Sequence, residues 1–391
     1  MLFNTSRTLL IDICAPAKSN LRITIIKNRL THIDFKKLVK LASMEFLSPL
    51  LYHNLKTIIT TLGPEISAYL KNSYMQNTAR NILLLKRIKL LKQAAEKYGI
   101  DIILLKGSAF AVSIYNEVGI RPMADVDILI KKEHIRKMKE LMKEQSMYAL
   151  FKTLRGKWFE EVKSHITPYQ SADDILSLEI HTRLFDDRFI PFPPLNPFER
   201  TMKIKWDNEN FYVLEPMTSF IYTLYHMSIH HNYSFRLRDF IDLSYLITAY
   251  SLEYGKIITY IEKTQAKGLF EPIMDTAFEN AGIINKPEHT GVSDAYIYYV
   301  NSVVMKRVPI QISSRLTEAT VRIATLMTSG FKKWAARIFK FTDYEVSVFY
   351  KTTSELPVLK RVIMGMWIIS VGAGYLLIFP FFACIRKIRL K

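Results

Sequence analysis

Two carboxylates two residues apart, Asp125 and Asp127, stand in the run Asp125-Val-Asp-Ile-Leu-Ile130. Faces alternate along a strand, so both aspartates turn to one side, and Val126, Ile128 and Ile130 turn to the other. Carboxylates side by side repel each other unless a divalent cation lies between them, and hard oxygen ligands suit Mg²⁺. Upstream, the apolar run Ile102-Ile-Leu-Leu105 reads as a short buried strand, broken by Lys106-Gly107-Ser108 before a helix expected from Ala109 to Tyr115. Free backbone N–H groups at Gly107 and Ser108, at that helix start, make a seat for phosphate. A phosphate seat beside metal-binding aspartates is equipment for nucleotidyl transfer.

Further polar residues fall where such chemistry needs them. In Ile175-Leu-Ser-Leu-Glu-Ile-His181, alternation puts Leu176, Leu178 and Ile180 on one face and Ser177, Glu179 and His181 on the other. From a neighbouring strand, Glu179 is placed to act as a base toward an acceptor hydroxyl or as an extra metal ligand. His181 shares that face, where positioning an acceptor or phosphate and a structural hydrogen bond are both open roles. Lys106 and Arg121 flank the phosphate seat. Lys106 is a point charge beside backbone donors; Arg121 can pair with phosphate, or with Asp125 or Glu117. His226, His230 and His231 have helical zinc-ligand spacing, but Met-Ser-Ile lies between the first two with no glutamate base, which favours surface histidines. Arg238 and Asp242 are spaced for a helical ion pair.

The order strand, Gly-Ser turn, helix, Asp-x-Asp strand resembles the nucleotidyltransferase superfamily typified by DNA polymerase beta. More narrowly, LKGSAFAVSIYNEVGIRPMADVDILI resembles the family labelled "uncharacterised nucleotidyltransferase", whose core reads LKG, Tyr, G-x-R and D-x-D. That family shares the long interval between Ser108 and Asp125, and the likeness runs from Tyr74 to about Ile247. Glu179 and His181 match its acidic-x-His strand motif. The resemblance implies transfer of a nucleoside monophosphate from an NTP to a hydroxyl acceptor, with release of pyrophosphate. It implies two Mg²⁺ ions on Asp125, Asp127 and Glu179, and triphosphate contacts from Lys106, Gly107, Ser108 and Arg121. It leaves the acceptor open: protein, tRNA, sugar or small molecule.

The elements that must position these residues suggest an α+β architecture with a small mixed β-sheet. The expected divisions are a mostly helical region over residues 1–98, a nucleotidyltransferase core over 99–215, a helical region over 216–345 and an apolar tail over 346–391. The N-terminal helices pack against the core and the helices from Pro216 on close its other side. One long helix is expected from Pro64 to Lys97, an amphipathic one from Glu133 to Gln145, loop from Leu195 to Asn210 and a strand at Phe211 to Leu214. Further helices are expected at Thr218 to His231, Arg236 to Tyr250, Tyr254 to Gln265, Pro272 to Ala281 and Arg315 to Phe341. Lys137, Lys139 and Lys143 read as a solvated helix face.

Hydrophobic residues form 49% of the 391, enough for a core, and a net charge of +18 points to phosphate-bearing partners: nucleotide, nucleic acid or anionic lipid. No stacking-aromatic motif or nucleic-acid module supports an RNA-end nucleotide-adding enzyme, which stays as an alternative beside a catalytically silent nucleotide-binding or interaction protein at a membrane. Cys14 and Cys384 are the only cysteines, which excludes a disulfide framework and a cysteine zinc site and fits a reducing cytoplasm. Asp12 interrupts what would be a signal peptide's apolar core. Val362 to Ile385 carries no charge over 24 residues. As a helix it would be about 36 Å long, so contact with the cytoplasmic face of a membrane is expected.

Overall fold

The structure, a computed structural model, describes residues 9–16, 34–150, 165–185, 195–227, 236–264 and 267–282. Its centre is a sheet of strands β1 (Ile103–Leu105), β2 (Val126–Leu129), β3 (Met147–Ala149), β4 (Tyr169–Ser171), β5 (Ser177–His181), β6 (Thr201–Trp206) and β7 (Glu209–Leu214). The seven lie in the order β3-β4-β5-β2-β1-β7-β6. β1 runs parallel to β7 and β2 parallel to β5; the other pairs are antiparallel. The sheet is mixed, as expected, but larger, because β3, β4 and β6 were not legible as strands. β6 falls in the stretch read as loop. It pairs with β7 across the turn Asp207-Asn208, where both residues have positive φ, 47° and 58°.

Helices among the described residues include α1 (Phe35–Met44), α2 (Ser48–Leu55), α3 (Pro64–Lys97), α4 (Lys106–Ser113), α5 (Ile135–Glu144), α6 (Pro216–Tyr225), α7 (Leu237–Tyr250), α8 (Tyr254–Glu262) and α9 (Lys267–Asn280). Pro64 occupies the first turn of α3, where its missing N–H costs nothing. α4 starts at Lys106, three residues earlier than expected, so no open turn separates it from β1.

Side-chain alternation divides the apolar residues between two cores. On one face, Ile102, Leu104, Val126, Ile128, Ile130, Leu178 and Ile180 pack with Leu84, Ile88 and Leu91 of α3 and Met138, Leu141 and Met142 of α5. On the other, Ile103, Leu105, Leu129 and Leu214 join Leu38, Leu50, Phe220, Ile241 and Phe270 from helices at both ends of the described chain. Each fully buried Leu or Ile contributes about 1.5–3 kcal/mol. α1 and α2 therefore share one core with the helices from Pro216 on, while the later turns of α3 cover the first face of the sheet. Asp127, Glu179 and His181 alternate with Val126, Ile128, Leu178 and Ile180, which puts all three on this second face, under the C-terminal helices.

The expected helix at Arg315 to Phe341 and the apolar stretch Val362 to Ile385 lie outside the described residues, as do His230 and His231. Among the described residues, no helix is long and apolar enough to cross a membrane.

Candidate active site

The register of the sheet assembles the site. β2 and β5 pair with Asp127 opposite Glu179, and β1 and β2 pair with Leu105 opposite Asp127. Lys106, the next residue, thereby reaches the same carboxylate: its Nζ lies 2.7 Å from Asp127 Oδ1. His181, at the end of β5, places Nε2 2.9 Å from that oxygen and 3.8 Å from Glu179 Oε2. Asp127 is 5% exposed and His181 2%, whereas the Glu179 side chain keeps 29% of its surface open.

Burial and charge set the protonation states. Burial alone would raise the Asp127 carboxyl, but Lys106 and His181 outweigh it and hold Asp127 well below the usual carboxylate range. At Glu179, burial and the Asp127 charge outweigh the Lys106 charge and push the carboxyl up to about 7. Burial disfavours the Lys106 ammonium, yet Asp127 overcompensates and keeps it firmly charged. Burial, then the Lys106 charge, lowers His181 despite Asp127, so the imidazole is neutral. With Nε2 donating to Asp127, Nδ1 is left as a buried acceptor with no partner among the described residues.

Asp125 is placed differently from the expectation. β2 begins at Val126, and Asp125 lies in the bend before it, exposed and without a hydrogen bond or ion pair to any described residue. The cause is α3: Arg80 donates from Nε to Met123 O at 3.2 Å and from Nη2 to Ala124 O at 3.2 Å, holding this backbone off the ladder. Asp125 still raises the pKa of both Glu179 and His181 electrostatically, so it stands at the mouth of the site.

The phosphate seat is also rearranged. Ser108 Oγ is buried and donates back to Leu105 O at 2.9 Å, with Asp127 O at 3.3 Å, so the hydroxyl itself is spent on backbone. No side chain caps α4, and its first-turn N–H groups have no intrahelical acceptor. The strained residue is Lys106, with φ 48°, and not Gly107. Gly107 is needed for another reason: a Cβ there would collide with Arg121 Nη1. Arg121 pairs with neither Asp125 nor Glu117. Its Nε and Nη2 donate to Asp242 Oδ2 at 3.0 and 2.8 Å, and Nη1 donates to Pro122 O at 2.9 Å. Tyr115 donates to Asp242 Oδ1 at 2.7 Å, completing a buried network that ties α7 to the underside of α4. The expected Arg238 to Asp242 pair is thus replaced; Arg238 instead approaches Asp239 at 3.8 Å.

Sequence reasoning missed the clamp on the interval between Ser108 and Asp125. Asn77 donates to Gly119 O at 2.7 Å, and Asn81 donates to Val118 O at 2.6 Å and Arg121 O at 2.7 Å. Tyr74 hydrogen-bonds Glu117. Asn77 is 8% exposed and Asn81 0%, inside a helix otherwise read as an apolar stripe. Asparagine at three- and four-residue steps beside apolar positions was the available signal.

The donor chemistry fits a divalent cation. Asp127, Glu179 and His181 each offer one ligand atom, all within 4.8 Å of one another. Two crowded carboxylates, one of them raised to about 7, are relieved by added positive charge, and their oxygens suit Mg²⁺ or Mn²⁺. The structure gathers His181 with Asp127 and Glu179; Asp125, expected among the ligands, is not in this group. His226 ends α6 and has no part in this group.

Neither the curated proteins nor the solved structures gave a match to the chain. The protein family described as "Uncharacterised nucleotidyltransferase" matches residues 31–281, more than half of the 391, and the chain belongs to that family.

Proposed function

We propose that the protein transfers a nucleoside monophosphate from an NTP to a hydroxyl-bearing acceptor and releases pyrophosphate. The observation that carries this reading is the pairing of Asp127 with Glu179 beside Lys106 at the start of α4. A divalent cation held by Asp127 and Glu179, with Asp125 at the mouth, would neutralise charge developing on the phosphates. The first-turn N–H groups of α4 and the Lys106 ammonium bind triphosphate oxygens. Asp242 fixes Arg121 under that helix start, where its charge supports an anion above. The acceptor oxygen forms a bond to the α-phosphorus, the bond to the β-phosphate oxygen breaks, and pyrophosphate leaves with that electron pair. Glu179 would help to hold the cation and would accept the hydroxyl proton.

Membrane contact through residues 362–385 belongs to the same proposal and rests on their uncharged sequence. It would put the site on the cytoplasmic face, where NTPs are available.

The reaction class is tested by incubating the protein with a cell lysate, Mg²⁺ or Mn²⁺, and each NTP labelled at either the α- or the γ-phosphate. Retention of α-label on an acceptor, with γ-label leaving in pyrophosphate, supports nucleotidyl transfer. Retention of γ-label would make the protein a kinase, and no retention of either label would remove the reading.

A further inference from the structure

We propose that the Tyr222 hydroxyl is a phosphate-binding donor of this site, contributed by α6 and acting beside Lys106. The inference rests on the nucleotidyl-transfer reading and adds a residue that neither spacing nor resemblance indicates. Thr218 through Tyr225 of α6 are all buried, and Tyr222 is 2% exposed. Its ring meets His181 edge-on, with centroids 6.5 Å apart at 83°, and Phe185 at 6.1 Å and 77°. These contacts fix the ring over the end of β5, on the face that carries Asp127 and Glu179.

A buried tyrosine hydroxyl ordinarily has a partner. Elsewhere in the molecule this holds: Tyr115 donates to Asp242 at 2.7 Å, Tyr254 to Asp275 at 2.8 Å and Tyr250 to Ser113 O at 3.1 Å. Tyr222 makes no hydrogen bond to any described residue, and its oxygen is not among the fully enclosed atoms that lack a partner, so it keeps some open surface. Its hydroxyl nevertheless lies within electrostatic reach of Lys106, Asp127 and Glu179. A phenol is protonated at neutral pH, so the group is a donor there. An unmatched donor in a cluster of charged groups, next to a lysine on the phosphate side, calls for an anionic oxygen from outside the chain. Phosphate oxygens supply strong acceptors of that kind.

The test is Tyr222→Phe in the full chain, which removes one oxygen and keeps the ring packed on His181 and Phe185. Calorimetric titrations would use Mg²⁺ with the α,β-methylene analogue of each of the four NTPs, and separately with inorganic tripolyphosphate. Loss of a hydrogen bond to a charged group should weaken both kinds of ligand by roughly tenfold or more, with the melting temperature nearly unchanged. Equal binding by the variant and the unaltered protein would overturn this inference alone. Weakening of the nucleotides but not of tripolyphosphate would also overturn it, by moving the hydroxyl's role to the nucleoside. If the unaltered protein bound none of these ligands, the functional reading and this inference would fall together.

Discussion

Lys106 holds Asp127 through a 2.7 Å ion pair while its own backbone is left-handed, at φ 48°. A non-glycine residue in that region costs on the order of 1–3 kcal/mol, and surrounding structure must hold it there. Here the antiparallel pairing of β1 with β2 does so, because Leu105 is fixed opposite Asp127. The ammonium covers an oxygen that a cation would need, so the free protein carries its own counter-charge.

That arrangement predicts a specific response in Lys106→Met. Removing one partner of a buried pair typically costs about 3–5 kcal/mol, and His181 compensates only in part. The variant should melt well below the unaltered protein without metal. Added Mn²⁺ should raise its melting temperature by more than it raises that of the unaltered protein. Equal melting temperatures with and without Mn²⁺ would show that the pair does not guard the cation site.

Glu179 leads to a prediction of opposite sign. Its folded pKa, pushed up to about 7, lies above the ordinary glutamate value of 4.5, so the folded state binds the proton more tightly than the unfolded one. Between those two values stability therefore falls as pH rises, and above the upper one the full cost of ionised Glu179 is present. Glu179→Gln should melt a few degrees higher at pH 8 and gain nothing at pH 4. A gain that is equal at both pH values would mean that the carboxyl is not perturbed.

Arg121 and Asp242 separate structural support from direct phosphate contact. Asp242→Ala leaves Arg121 buried at 7% exposure with its main partner gone, and should cost about 3–5 kcal/mol of stability. Gly107→Ala should also destabilise, because its Cβ meets Arg121 Nη1. Denaturant melts of both variants check this. An Asp242→Ala protein as stable as the unaltered one, with nucleotide binding lost, would return Arg121 to a direct ligand role.

The parts of the site set by short-range pattern were legible in the sequence. Alternation put Glu179 and His181 on one face of β5 and Asp127 opposite Val126 and Ile128, and all of these stand so in the sheet. Pairings between distant segments were not legible. Asp242 sits four residues from Arg238, which suggested a helical pair, yet its partner is 121 residues away. Periodicity describes one element at a time, and burial of Arg121 demands the nearest buried carboxylate whatever its position in the chain. The start of β2 was misjudged by one residue for a similar reason, since Arg80 of α3 takes the carbonyls of Met123 and Ala124. In β6, Met202, Ile204 and Trp206 do alternate with lysines ahead of Asp207-Asn208. That signal was present and was obscured by the turn-like residues on either side.

Asp127 is the residue on which Lys106, His181 and Glu179 converge, so Asp127→Asn gives the most direct test of the central claim. The variant changes one oxygen to an amide of the same shape, and its circular dichroism should confirm the fold. The measurement is retention of α-phosphate label from NTP on an acceptor in lysate with Mg²⁺ or Mn²⁺, for the unaltered protein and for Asp127→Asn. The account predicts label with the unaltered protein and a loss of several orders of magnitude in rate for the folded variant. Comparable labelling by the two proteins would contradict it.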